Sequence, residues 1–327
     1  MRILVTGGAG YVGSHCVREL LQAGHETWVY DNLSRGHARA VPPGKLIEGD
    51  LADQARLTGI LRERKIDAVM HFAAFALVGE SVEQPHLYYG NNVLGSFHLL
   101  EAVRQAGVRK FVFSSTTATY GNPDKIPIAE TTPQLPINPY GFSKFVVEKM
   151  LADYAAAYGL AYAALRYFNA AGAAPEGNLG EDHTPESHLI PIVLQVALGQ
   201  REKITIFGDD YPTPDGTCIR DYVHILDLAT AHLAALDKIQ PGKGLALNLG
   251  TGRGYSVREV IDACRRITGH PIPAVLGPRR PGDPPQLIAD ATLARQTLGW
   301  TPRYPTIESI VETAWRWHQS HPRGYAS

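Results

Sequence analysis

Cysteine is scarce in this 327-residue chain: only Cys16, Cys218 and Cys264 occur, far apart and without a Cys-x-x-Cys pair. That usage excludes a disulfide framework and a zinc-thiolate site, so a reducing cytoplasm is the expected location and no metal is expected. Apolar runs of about 18 or more residues, the length needed to cross a bilayer, are missing throughout. The N-terminal MRILVTGG lacks the charged and apolar regions of a secretory leader. Neither secretion nor membrane insertion is therefore expected. A charge excess is missing too, since 31 Lys plus Arg face 32 Asp plus Glu. No broad basic field exists to hold nucleic acid or an anionic membrane. A polyanionic ligand must be gripped by a few local groups. Repeats and low-complexity tracts are also lacking.

What is present is ample apolar material, 44% of the chain, enough to fill one large domain or two smaller ones. Short β-branched or apolar runs at 2–6, 27–31, 68–72, 110–115 and 161–167 alternate with helix-period segments at 14–23, 53–64, 87–105 and 143–158. Each helical segment is bounded by Gly, Asp, Asn or Pro. This alternation predicts βαβ units and an α/β fold with a doubly wound parallel Rossmann sheet. Beyond about residue 169 the texture turns to Gly, Pro and Asp-rich stretches with shorter helices, which predicts a smaller C-terminal substrate-binding lobe. The segment 222–250 again has the pattern of helix then strand. The expected division is 1–169 with a return at about 217–250 for dinucleotide binding, and 170–216 with 251–327 for the second lobe.

The first strand runs straight into Gly7-Gly8-Ala9-Gly10-Tyr11-Val12-Gly13 and then an apolar-periodic helix. Gly7, Gly10 and Gly13 permit a tight turn and close backbone approach, so free helix N–H groups and the positive dipole end can face a pyrophosphate. The second strand ends in Asp31, 18 positions past Gly13. A carboxylate there accepts from adenosine ribose hydroxyls and repels a 2′-phosphate, which favours NAD over NADP.

Pro139 opens a helix on which Tyr140 and Lys144, four residues apart, share one face. A tyrosine acting as base near neutrality needs its pKa lowered by roughly 3 units, about 4 kcal/mol. One ammonium and the charge of oxidised nicotinamide are expected to supply this. Upstream, the strand ending Ser114-Ser115-Thr116-Thr117 places hydroxyls at the carboxyl edge, where α/β ligands bind. Either a sugar oxygen or an ordinary turn cap suits any one of them.

From end to end, on TGGAGYVGSH, YDNLSRG, HFAAFALVGES, YYGNNVLGS, FSSTTATYG, NPYGFSK, RYFNAAGA, DYPTPDGTCIRDYVH, NLGTG, RRPGDPP and HPRGY, the sequence resembles the UDP-glucose 4-epimerase family of extended short-chain dehydrogenase/reductases. The resemblance implies that Tyr11, Val12, Asp31, Asn32, Asp50, Leu51, Phe72, Ala73, Ala74, Asn91, Tyr140, Lys144 and Phe168 line a site for tightly bound NAD. It implies that Thr116, Tyr140, Asn169, His188, Leu189, Phe207, Arg220, Arg280, Asp283 and Leu287 hold a UDP-sugar. Planar, permanently charged guanidinium groups suit a UDP pyrophosphate. Three positions depart from the family pattern. Thr116 stands at the catalytic serine position, Ala76 replaces a lysine found in some members, and Leu287 replaces a tyrosine that narrows the sugar pocket in some.

The implied activity is that of an NAD-dependent isomerase of galactose metabolism. It interconverts UDP-glucose and UDP-galactose by transient oxidation at sugar position 4 and hydride return without facial preference. Tyr140 serves as base, Thr116 as hydrogen-bond partner of the reacting oxygen, and Lys144 as ribose anchor. Leu287 extends the expectation to N-acetylated UDP-hexosamines, and UDP-xylose/UDP-arabinose epimerisation is an alternative. The resemblance further implies a homodimer formed through helices 87–105 and 143–158. Two rivals share the fold. A 4,6-dehydratase carries an Asp-Glu pair where this chain has Thr117-Ala118, and a non-catalytic dinucleotide sensor has no need of the Tyr140/Lys144 pair.

Overall fold

Ile3, Leu4 and Val5 are apolar on both faces of an extended chain and fully buried, as a central parallel strand must be when helices cover both sides. They form β1 (Arg2–Thr6) of the computed structural model, which describes residues 1–280 and 282–326. There follow β2 (Glu26–Asp31), β3 (Leu46–Glu48), β4 (Ala68–His71), β5 (Lys110–Thr116) and β6 (Ala161–Tyr167). The later strands are β7 (Asn169–Ala171), β8 (Ile204–Phe207), β9 (Ile219–His224), β10 (Gly244–Leu249), β11 (Gly254–Ser256), β12 (Ala274–Gly277) and β13 (Gln286–Leu287). Seven of them make one sheet in the order β10-β6-β5-β4-β1-β2-β3, every pairing parallel. This is the expected doubly wound α/β sheet, and its strand order reverses between β1 and β4. Ligands of such sheets bind at the carboxyl ends beside that reversal.

The helices are α1 (Tyr11–Gln22), α2 (Gln54–Glu63), α3 (Val78–Glu83), α4 (Pro85–Tyr88), α5 (Gly95–Ala106) and α6 (Pro139–Tyr158), then α7 (Leu189–Ala197), α8 (Ile225–Lys238), α9 (Val257–Thr268), α10 (Thr292–Leu298) and α11 (Ile307–Ser320). Alternate strand residues feed two cores. Ile3, Val5, Met70 and Val112 pack with Val17 of α1 and Leu228 of α8. Leu4, Val69, Phe111 and Phe113 pack with Leu57 of α2, Leu99 of α5 and Val147 of α6 on the opposite face. A third core joins Val193 of α7, Ile261 of α9 and Val311 of α11 beneath the smaller sheets.

Three predicted helices differ from their expected bounds by more than a residue, the one expected at 143–158 beginning at Pro139. The first begins at Tyr11 and not at residue 14. The segment expected at 87–105 is interrupted by π-geometry at Tyr89–Leu94. The cause lies in Asn92, drawn inward to bond Phe75 N and O at 2.9 and 3.0 Å and Ser143 Oγ at 3.0 Å. A widened turn accommodates that pull. Of the stretch 217–250, β9 pairs with β7, β11 and β13 in a small sheet, while α8 and β10 belong to the large layer.

Two contacts join distant parts. Tyr11 Oη donates to Gly172 O at 2.6 Å. Tyr325 donates its backbone N–H to Asp182 Oδ2 at 2.8 Å, accepts from Arg39 Nη1 at 2.9 Å, and lays its ring over His37 with centroids 4.9 Å apart. The three cysteines are free and buried. Among the described residues, no helix is long and apolar enough to cross a membrane.

Candidate functional site

The carboxyl ends of β1, β2, β4 and β5 open into a cavity of about 1640 Å³ that runs on to the second lobe. Pockets for one drug-sized ligand are usually ~300–1,000 Å³, so this one has room for two extended ligands meeting end to end.

One end is built by the glycine loop. Gly7 has φ +73°, and a Cβ there would stand 2.3 Å from Ala73 N; at Gly13 a Cβ would stand 2.2 Å from Gly7 O. Only glycine lets the turn close this far. Gly10 caps α1 without any side-chain hydrogen bond, so the first N–H groups of the helix are left for a ligand. Asp31 is tied to the same loop, with Oδ2 accepting from Ala9 N at 2.9 Å and Oδ1 from Leu33 N at 2.8 Å. Burial raises its pKa, and these two N–H donors oppose the rise. The cradle fits a dinucleotide pyrophosphate, with a carboxylate beside the adjoining ribose position.

In the middle of the cavity stand Tyr140, Lys144 and Thr116. Asn138 caps α6 through Gly141 N at 2.8 Å and Pro139 occupies its first position, so Tyr140 lies in the first turn. Burial raises the Tyr140 pKa, and a hydrogen bond with Thr116 opposes it. Lys144 Nζ donates to Ser114 O at 2.9 Å and lies 4.9 Å from the Phe113 ring centre. Its buried position lowers its pKa to about 7, against the pull of Glu148. The bond to Ser114 O uses one of the lysine's donors, and burial in the polypeptide alone holds Tyr140 as a neutral phenol.

The far end carries Phe207, Arg220, Arg280, Asp283 and Leu287. Arg220 Nη2 bonds Asp283 Oδ1, and the Arg280 guanidinium lies 4.2 Å from the Phe207 ring centre. Leu287 packs on the small buried group of Tyr120, Ile128, Phe168 and Ala289. Asn169, His188 and Leu189 line the wall between.

Of the residues singled out from sequence, Gly7, Gly10, Tyr11, Val12, Gly13, Asp31, Asn32, Leu51, Phe72, Ala73, Ala74, Asn91 and Phe168 all line this cavity, as do the central and far-end groups. Asp50 stands off the wall; its Oδ2 accepts from Asn32 Nδ2 at 2.7 Å, so it positions a lining residue. Sequence reasoning missed a buried support below the centre. Arg166 Nη2 bonds Glu148 Oε2 at 2.5 Å, Ser115 Oγ donates to Glu148 Oε1, and Arg166 Nη1 donates to Tyr120 Oη at 2.8 Å. The signal was available: Glu148 follows Tyr140 and Lys144 at the same four-residue interval, on one helical face.

Residues 3–250 match the NAD dependent epimerase/dehydratase family. A UDP-glucose 4-epimerase from Halalkalibacterium halodurans is 56% identical over 328 aligned positions, covering 100% of this chain and 98% of the relative. A crystal structure of a UDP-glucose 4-epimerase is 52% identical and superposes with TM-score 0.96, covering 100% of both chains. The Stenotrophomonas maltophila UDP-glucose-4-epimerase, solved with bound NAD and formylated UDP-arabinopyranose, is 43% identical with TM-score 0.95 and 99% coverage of both.

Proposed function

The chain belongs to the NAD dependent epimerase/dehydratase family, and from that premise we propose that it is an NAD-dependent isomerase interconverting UDP-glucose and UDP-galactose. The observation that carries this reading is the single cavity: a dinucleotide cradle at one end, arginines at the other, and Tyr140 with Thr116 between them.

The residues of the large sheet hold NAD, through the α1 N-terminus, Asp31 and Lys144, and those of the smaller lobe hold the UDP moiety, through Arg220 and Arg280. NAD supplies a reversible hydride acceptor for sugar position 4. Tyr140 takes the proton from the 4-hydroxyl and later returns it to the opposite epimer. Thr116 donates to the reacting oxygen and keeps the phenol aligned. The arginines keep the 4-keto sugar attached by its diphosphate while the sugar turns its other face. Redox balance is restored within one turnover, so NAD stays bound. Elimination of water would need an acid and a base beyond Thr116, where Thr117 and Ala118 line the cavity instead.

A homodimer accompanies this reading. Tyr89, Phe97 and Phe142 expose 42%, 42% and 44% of their surfaces near α5 and α6, a patch suited to a second copy. The free buried cysteines suit a cytoplasmic setting. Leu287 in place of a bulkier ring extends the substrate range to N-acetylated UDP-hexosamines.

The test is to incubate purified protein, with no NAD added, separately with UDP-galactose, UDP-N-acetylgalactosamine and UDP-arabinose, and to separate the products. Conversion of UDP-galactose to UDP-glucose is expected. No conversion of any sugar by protein carrying bound NAD would overturn the reading. Turnover of the N-acetyl sugar below about a thousandth of the galactose rate, roughly 4 kcal/mol of discrimination, would remove only the extension.

A further inference from the structure

Between the second-lobe loop and α7 the chain spells Glu181-x-His183-x-x-Glu186-x-His188. One ligand atom from each of these four side chains lies within 4.8 Å of the others. His183 Nδ1 is 3.2 Å from Glu181 Oε1 and 3.8 Å from Glu186 Oε2, and His188 Nδ1 contacts the same Glu181 oxygen. The two carboxylate side chains are only 4% and 5% exposed.

Backbone N–H groups orient one of the carboxylates from outside, as supports behind metal ligands do. Glu186 Oε1 accepts from Ser187 N at 2.7 Å and His188 N at 2.8 Å, leaving Oε2 toward the cluster. Trp317 Nε1 donates to Glu181 O at 3.1 Å, and His183 meets the Tyr11 ring edge-on with centroids 5.9 Å apart. Two adjacent buried carboxylates repel unless two positive charges stand beside them. The imidazoles supply those charges only if each takes a proton. A divalent cation supplies both at once and uses the same Nδ1 atoms in their neutral form.

We propose that Glu181, His183, Glu186 and His188 form a divalent-metal site, with zinc the best-fitting ion. In a tetrahedral shell with bonds of ~2.0–2.2 Å the ligand atoms stand ~3.3 Å apart, so the cluster, now spanning up to 4.8 Å, completes it by closing its wider pairs while the Glu181–His188 contact opens. Two imidazoles with two carboxylates suit zinc, whereas calcium and magnesium prefer oxygen alone. Four protein ligands close the shell, so the ion is structural and acts on no substrate. It pins the loop that leads into His188 and Leu189 and so fixes one wall of the cavity. The scarcity of cysteine excludes a thiolate site and leaves this His/Glu site untouched.

The experiment reads metal, not turnover, and so is independent of the proposed reaction. Protein purified without a metal-affinity step is dialysed, its zinc content measured, then stripped with a strong chelator and titrated with zinc chloride or cobalt chloride. His183→Ala and Glu181→Gln are treated identically. About one zinc per chain is expected, with the visible bands of four-coordinate cobalt, a raised thermal midpoint on adding zinc, and loss of all three in the variants. If a variant fails to fold, the wild-type cobalt spectrum and thermal shift decide alone. Six-coordinate cobalt bands, no thermal shift, or zinc binding by folded His183→Ala equal to wild type would overturn the proposal.

Discussion

Burial acts against both charges that the central pair needs: it raises Tyr140 and lowers Lys144 to about 7. The folded lysine thus loses its proton well below the ~10.4 of an unfolded one. Between those values the unfolded chain binds the extra proton, so this side chain costs stability at pH 7, and the cost fades as pH rises toward 10. Its size at neutrality is on the order of 4 kcal/mol. In cofactor-free protein, the stability of wild type relative to Lys144→Met should rise by a few kcal/mol from pH 7 to pH 10, measured by urea unfolding. A gap that stays flat with pH would mean that the buried lysine keeps its proton. For Tyr140→Phe, turnover should fall by a factor of at least about a thousand while UDP binding by calorimetry stays within a few-fold. Near-normal turnover in that variant would remove Tyr140 as the base.

At the scale of elements, the strand–glycine–helix unit is the most demanding. A methyl group at Gly13 would stand 2.2 Å from Gly7 O, and backbone cannot yield as a flexible side chain can. Gly13→Ala should abolish co-purifying NAD, seen by absorbance of the denatured supernatant, and lower stability by about 2 kcal/mol or more. This unit was legible in sequence because its glycines follow a buried apolar run directly, as were β4, β5 and β6, whose apolar runs are long. The π-turn at Tyr89–Leu94 was not legible, since it depends on Asn92 reaching Phe75 and Ser143, residues distant in sequence. The pairings of β7, β11 and β13 were hidden for another reason: strands of two or three residues carry too few side chains to show a period of two. Within the site, the residues at the cavity wall were legible from motif order. Of the Glu148–Arg166 support, the helical spacing of Glu148 was legible but its pairing with Arg166 was not, because the partners come from α6 and β6 and meet only on folding.

For the whole molecule, the exposed aromatics beside α5 and α6 set an expectation about assembly. A Phe97→Glu/Phe142→Glu double variant should elute as a monomer in light-scattering chromatography where the wild type elutes as a dimer, with a native circular dichroism spectrum. A wild-type monomer at micromolar concentration would end the dimer proposal. The tail contact acts over the longest range. Arg39 and Tyr325 meet across 286 positions of chain, and the His37 ring packs at a 30° tilt against the same tyrosine beside the cofactor cavity. Closures so distant in sequence come late in folding, after the local βαβ units that need no such search. The mouth of the dinucleotide cradle is therefore joined from two parts of the chain 286 positions apart, the second synthesised well after the first. In a cell-free translation stalled before residue 325, the glycine loop should be folded yet lose NAD faster than the released chain does.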